Sequence, residues 1–419
     1  MTVACTASLA VIPRGGPLER CAFEGSGAEA THRLRTTPVL GRFWIRETDS
    51  DEIAWVDPVT LRRANAHRAA LPSQGSVWAV SPSDQLLAAA PAHGIQIMDT
   101  ASLRVVGSVR TGAGWPRALS WLSNRLLAGV MESEVVVWSV DGARVRRIEL
   151  VGGERPMAWH AEPGRLLVLV SPDSRSGGSS RLLDITRAGI EVVDLDRVVA
   201  GYDPDLGEHG TLLTAGLAYD PADGRAFVVQ PDGPVAEVDL DQRTVRYRSP
   251  GTSLLEEVAA SLVPSAGAKL SDSARSRAAW LGGGLLAISG EAGSVSRPVA
   301  GFSAGVTIVD TRDWSSCLLD TRASHVAVSG GSLLAWGGDG FGEHGGVGLI
   351  GYDLADGRRW HRFGRQYLDM QFLGRYAYAI NSWHGWHVST VDVATGQVVA
   401  ERRGRPPTVL PRGAALQAP

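Results

Sequence analysis

The feature that most restricts the fold is a repeat: a short apolar segment closed by Asp, a few turn residues, and then another short segment. It reads IAWVDPVTL around Asp57, IQIMDTASL around Asp99, VVVWSVDGA with Ser139 in the Asp position, and IEVVDLDRV around Asp194. It continues as VAEVDLDQR around Asp239, VTIVDTRDW around Asp310, LIGYDLADG around Asp353 and VSTVDVATG around Asp392. The steps between these positions are 42, 40, 55, 45, 71, 43 and 39 residues. A period of about forty to forty-five residues fits one four-stranded blade, with the longer steps carrying insertions.

Upstream of seven of these positions lies a further pair of short strands around a turn, as in Val77 to Ala90, Gly216 to Val229 and His325 to Trp336, so each unit reads as strands a, b, c and d. The 50 glycines and 22 prolines are scattered between apolar runs, as many tight turns require. The expectation is an all-β β-propeller of about eight four-stranded blades, with seven as the alternative if the first unit packs outside the ring. The first unit lacks a strand a before Phe43. Thr408 to Leu410, or else Leu34 to Leu40, is expected to supply it and so close the ring with strands from both termini, leaving no sheet edge open.

Each repeated Asp is expected to accept hydrogen bonds from N–H groups of the tight c-to-d turn. Trp55, Trp78, Trp121, Trp138, Trp159, Trp280 and Trp336 fall on strand positions and are expected to fill the space between neighbouring sheets.

The units SPSDQLLAAAPAHGIQIMDTASLRVVGSV and YDPADGRAFVVQPDGPVAEVDLDQRTVRY resemble the YVTN and WD-repeat β-propellers of bacteria, and the likeness runs from about Phe43 to Arg402. It implies a fold and no particular activity. Thr2-Val3-Ala4-Cys5 resembles the end of a bacterial lipoprotein cleavage box. The organisation expected is an N-terminal extension over 1–39, a single propeller over 40–413 and a tail over 414–419. Insertions are placed at 171–189, 201–214, 250–277, 289–305 and 337–348. A cell-envelope or secreted protein is expected if the N-terminus is truncated, and a cytoplasmic one otherwise.

Strand alternation sends the b-to-c and d-to-a connections to one face of a propeller, and every long connection belongs to these two kinds. Binding residues concentrate on loops carried by a rigid scaffold. Ser253 to Glu256 has a capping-box pattern followed by Val258, Ala259 and Leu262, which predicts a short amphipathic helix within one insertion. The binding-face candidates are Trp383, His384, Trp386 and His387 from SWHGWH, together with Arg175, Arg181, Arg187 and Arg297. LGEHGT and FGEHGG place Glu208, His209, Glu343 and His344, with Asp339 nearby, as a possible divalent-metal or acid–base set.

A net charge of −3 with dispersed arginines gives no footprint for nucleic acid, and no apolar run is long enough to span a membrane. Lys269 is the sole lysine, which disfavours Schiff-base chemistry. Cys5, Cys21 and Cys317 are too few and too far apart for a disulfide framework or a zinc pattern, although one pair could bridge. No phosphate-binding loop, dinucleotide glycine pattern, nucleophile elbow or HExxH motif occurs. The leading expectation is a monomeric, non-enzymatic scaffold, with no cofactor, that binds a protein, peptide or glycan through its loop-rich face. The rival is a metal-dependent hydrolase or lyase with its site at the channel mouth.

Overall fold

The computed structural model describes the chain from Phe43 to Arg403, apart from 47–51, 58, 71–76, 91–93, 112–113, 152, 163, 173–177, 204–210, 231–232, 251–272, 294–301, 321–322, 330, 338–346, 355–356, 358, 363–368, 374 and 382–386. The described residues form eight sheets, each built on strands that follow one another in sequence order and are antiparallel throughout the a-to-d set. Seven sheets hold a full set of strands. The first holds three, Phe43–Arg46, Glu52–Val56 and Arg63–Ala70, which are strands b, c and d. Both segments expected to supply its strand a, and the helix expected at Ser253 to Leu262, lie outside the described residues.

The burial pattern shows why these segments stack face to face. Strands b and c are apolar without alternation, as in Arg165–Ser171 and Glu134–Ser139, because both of their faces meet a neighbouring sheet. Strands d, such as Arg144–Glu149, alternate exposed and half-buried residues as expected at an outer edge. Separate apolar clusters join the second sheet to the third, and so on in turn up to the seventh and eighth. Between the eighth and first sheets, Asp57 lies close enough to Tyr378 to add to the upward push that burial exerts on its hydroxyl.

Six of the seven tryptophans expected between sheets are described, and they behave as core residues. Trp78, Trp121, Trp138 and Trp336 are buried. Trp121 donates from Nε1 to the carbonyl of Ala79 at 3.0 Å, tying the third sheet to the second. The Trp55 side chain lies outside the described residues.

The repeated Asp performs the expected task. In the second sheet Asp99 Oδ1 accepts the Ser102 N–H at 2.8 Å and its hydroxyl at 2.7 Å, while the Leu103 N–H returns to the Asp99 carbonyl at 2.8 Å. In the first sheet the N–H groups of Thr60 and Val59 hold the Asp57 carboxyl below its usual range, the Thr60 bond counting most. Four residues after the Asp, the backbone turns left-handed at Leu61, Leu103, Arg243, Trp314, Gly357 and Gly396. Leu61, Leu103 and Trp314 hold this disfavoured conformation with buried side chains, so packing under the turn offsets the backbone strain. The third copy is a shorter turn in which Asp141, two residues on, accepts the Ala143 N–H at 3.2 Å. Asp99→Ala is expected to lower stability by about 1 kcal/mol through these exposed bonds. Asp99→Asn, which keeps an acceptor, should stay near wild type in urea unfolding.

The fourth unit differs from the sequence reading. IEVVD, expected to be strand c, is the outer strand Ile190–Asp194, and strand c is Arg181–Thr186. An apolar run ending in Asp does not separate the two. Here Thr186 occupies the turn position, its Oγ1 accepting the Ala188 N–H at 3.2 Å. The expected insertion 171–189 therefore contains strand c, and the extra length moves to the following d-to-a connection.

That connection forms a hairpin, Gly201–Asp203 with Thr211–Thr214, and its second strand pairs in parallel with Ser273–Gly282 of the sixth sheet. The sixth sheet is itself lengthened, with strands Ser273–Gly282, Leu285–Gly293 and Phe302–Asp310. Parts of the expected insertions 250–277 and 289–305 are thus strand extensions, and the result is a six-stranded sheet.

Candidate functional site

Strand directions locate the connections even where the loops are outside the described residues. Stretches 173–177, 294–301, 338–346 and 382–386 join strands b and c, and 204–210 and 251–272 fall between a strand d and the next strand a. By strand alternation the described strand ends that flank all six lie at one end of their sheets, where the six-stranded sheet also extends. Among the described residues, the connections at the opposite end are short a-to-b and c-to-d turns.

The bases of two of these loops are described. The Val347 N–H donates to the Gly337 carbonyl at 3.0 Å, and His361 Nε2 lies 2.7 Å from the Val347 carbonyl, so the loop bearing Asp339, Glu343 and His344 springs from a closed neck. The SWHGWH loop springs from the paired residues Asn381 and His387. His387 Nδ1 faces Glu401 Oε1 at 3.6 Å and its side chain is mostly buried. His387 therefore belongs to the neck of the loop. Trp383, His384, Trp386, Arg175, Arg297, Glu208, His209, Asp339, Glu343 and His344 lie outside the described residues.

Of the four candidate arginines, two are described. Arg181 starts strand c at the looped end, where Glu154 pairs with its guanidinium and also accepts the Val151 N–H at 3.0 Å. Beside it the Ser179 hydroxyl and the Asp196 N–H hold the Asp194 carboxyl below its usual range, with the charge of Arg181 adding to the effect. Arg181 is thus engaged in a local ion pair with Glu154. Arg187 follows strand c, in the turn to strand d, and so sits at the opposite end from the loops. The misplacement has the same origin as the strand assignment of the fourth unit.

Trp115 is not among the residues that the repeat pattern singles out. It stands in the short connection between the second and third sheets, at the looped end, and 53% of it is exposed. Its loop is braced by Thr111 Oγ1 donating to the Gly114 carbonyl at 3.2 Å and by the Arg117 N–H donating to Val130. In the next connection at the same end Val151 is also exposed. The signal was present as Gly-Trp-Pro between two strands, where a ring has no neighbouring strand to pack on. Trp115→Ala should leave the thermal midpoint within about 1 °C of wild type, because an exposed ring away from the core contributes little.

The opposite end carries a polar joint between the fourth and fifth sheets. Arg165 Nε lies 3.1 Å from Asp184 Oδ1, an ion pair and not an aligned hydrogen bond. The Arg165 guanidinium also lies 4.9 Å from the centre of the Tyr219 ring, and His160 Nε2 meets Glu162 Oε1 at 3.1 Å. Burial pushes the Asp184 carboxyl up while Arg165 opposes the shift, and burial likewise raises the Tyr219 hydroxyl. Among the described residues, no group of three or more His, Cys, Asp or Glu is placed to hold a metal ion, and no helix is long and apolar enough to cross a membrane.

No protein-family model matches the chain, and neither does any curated protein. Solved structures do. The dihydro-heme d1 dehydrogenase NirN, solved in complex with DHE, is similar over 90% of this chain and 76% of its own, at 16% identity and a TM-score of 0.55. BamB from Moraxella catarrhalis aligns over 79% of this chain and 89% of its own, at 10% identity and a TM-score of 0.45. The computationally designed Ika8 protein aligns over 81% and 91%, at 13% identity and a TM-score of 0.48. At such identities likeness establishes architecture and not activity. The chain is an all-β protein of the propeller fold.

Proposed function

We propose that the protein is a non-enzymatic scaffold that binds a protein, peptide or glycan through the looped end of its sheets. The observation that carries this reading is the one-sided placement of the six long connections, with Trp115 exposed among the short ones at the same end. Exposed tryptophan on a braced loop combines a large contact area with little ordering cost, and such rings dominate binding energy at interfaces. Trp383 and Trp386, which lie outside the described residues, are expected on the same surface from the strand directions that flank them. The described charges at this end are largely paired, as Arg181 is with Glu154 and Arg117 with Glu132 at 3.3 Å, which favours a partner held by aromatic and polar contacts over one held by net charge.

The test is to pan a displayed random-peptide library and a glycan array against the folded protein, then repeat with Trp115→Ala, with Trp383→Ala and Trp386→Ala together, and with Arg187→Ala at the opposite end. Ligands that weaken at least tenfold in the tryptophan variants and are indifferent to Arg187→Ala support the reading. Ligands that respond to Arg187→Ala alone overturn it. Stoichiometric metal on the purified protein that falls in His209→Ala and His344→Ala would instead favour the metal-dependent hydrolase or lyase.

A further inference from the structure

The two connections that flank the third sheet at its looped end each carry one exposed apolar side chain, Trp115 in the first and Val151 in the second. Val151 is 62% exposed on a turn closed twice, by the Glu154 N–H donating to the Val151 carbonyl at 3.2 Å and by the Val151 N–H donating to Glu154 Oε2 at 3.0 Å. Each connection also carries an exposed arginine. Arg110 stands where the outer strand Val105–Val109 ends, and Arg155 where the inner strand Arg155–Glu162 begins. The charges around them are matched: Glu132 pairs with Arg117, Glu134 and Glu149 share Arg147, and Glu154 pairs with Arg181. Among the described residues Arg110 and Arg155 make no ion pair, so they are exceptions to the pairing of charge at this end. The next connection repeats the pattern with Arg197 beside the exposed Val198, but there Asp194 and Asp196 stand in the same turn and oppose the charge.

We propose, resting on the reading of the looped end as the binding surface, that these two connections form a docking site for a peptide segment of a partner protein that carries Asp or Glu beside apolar side chains. Trp115 and Val151 gain by being covered with apolar side chains, and a valine has little to gain from a hydroxyl-covered sugar. A guanidinium with no acid of its own presents in-plane N–H pairs that match the two oxygens of a carboxylate. Both arginines are exposed to water, so they select the partner and steer its approach, while the apolar contacts hold it. The matched charges around them give no extended positive field, so a few carboxylates suit this site and a nucleic-acid backbone does not.

The test is to pan a displayed random-peptide library against the folded full-length protein and to sequence the bound pools. Wild type is expected to enrich Asp and Glu about threefold over the input beside aromatic or aliphatic residues, and less so at high salt. Arg110→Glu with Arg155→Glu should reverse the preference to Lys and Arg. Arg110→Lys with Arg155→Lys should keep it, and an unchanged thermal midpoint in both shows that the fold is intact. Trp115→Ala should deplete the pools. An empty wild-type pool, pools without acidic bias, a bias unchanged by the glutamate pair, or ligands found on a glycan array and not among peptides would each overturn this site. Pools that depend on Trp115 and show no charge preference would overturn the acidic partner alone, and the looped end would stand as the binding surface. Ligands that respond only to Arg187→Ala would overturn both.

Discussion

Phe227→Ala is expected to lower stability by about 4 kcal/mol. Phe227 is fully buried on Arg225–Val229, strand b of the fifth sheet. Its ring stacks on Trp280 of the sixth sheet at 5.1 Å between centroids and 12° between planes, and Trp314 tilts against it at 6.4 Å. Trp314 is itself held by the left-handed turn position after Asp310, so the ring is enclosed by residues that cannot collapse inward without distorting that turn. Truncation therefore leaves a cavity between two sheets, and the cost includes lost contacts as well as lost transfer energy. Urea unfolding followed by tryptophan fluorescence measures it, and Phe227→Leu should cost under about 1.5 kcal/mol because it keeps most of the volume. A loss below about 1 kcal/mol for Phe227→Ala would mean that the fifth and sixth sheets do not pack as described.

Arg165→Met should cost about 2–3 kcal/mol near neutral pH, less than the loss usual for a broken buried pair because Arg165 reaches solvent. The Asp184 side chain is 6% exposed, so removing its partner strands a buried charge. Burial already holds the Asp184 carboxyl above its ordinary value with Arg165 opposing, and loss of Arg165 raises it further. A carboxyl raised by folding binds its proton more tightly in the native state. Its favourable contribution is therefore full below the unfolded-state value and fades as pH rises through the folded value. The deficit of Arg165→Met relative to wild type should accordingly shrink as pH falls, and the double variant Arg165→Met with Asp184→Asn should regain much of the loss. Parallel unfolding curves between acid and neutral pH decide it; a deficit constant across that range would mean Asp184 is not the group left unpaired.

The architecture was legible in the sequence because it is written in local chemistry. Asp99 caps its turn with atoms within four residues, and strands such as Arg165–Ser171 announce double-sided burial by lacking alternation. The order of strands a to d followed from the turn spacing in every unit but the fourth and needed no contact information. Trp138 and Trp121 could be assigned to the core for the same reason, as large rings on strand positions.

What failed were the features set by non-local pairing. Whether Ile190–Asp194 is a third or a fourth strand depends on which strands it pairs with, and its apolar pattern fits either place; Arg187 changed ends with it. The parallel pairing of Thr211–Thr214 with Ser273–Gly282 joins residues about sixty apart, so no window of sequence contains it. The pairing of Arg181 with Glu154 and the approach of Arg165 to both Asp184 and Tyr219 likewise arise only when distant segments meet. The sequence by itself determined the repeated four-stranded unit, because strand, turn and burial preferences act over a few residues. Only the tertiary structure decided which side chains are already paired and which, like Trp115, remain exposed, because pairing and exposure depend on neighbours that the chain brings together on folding.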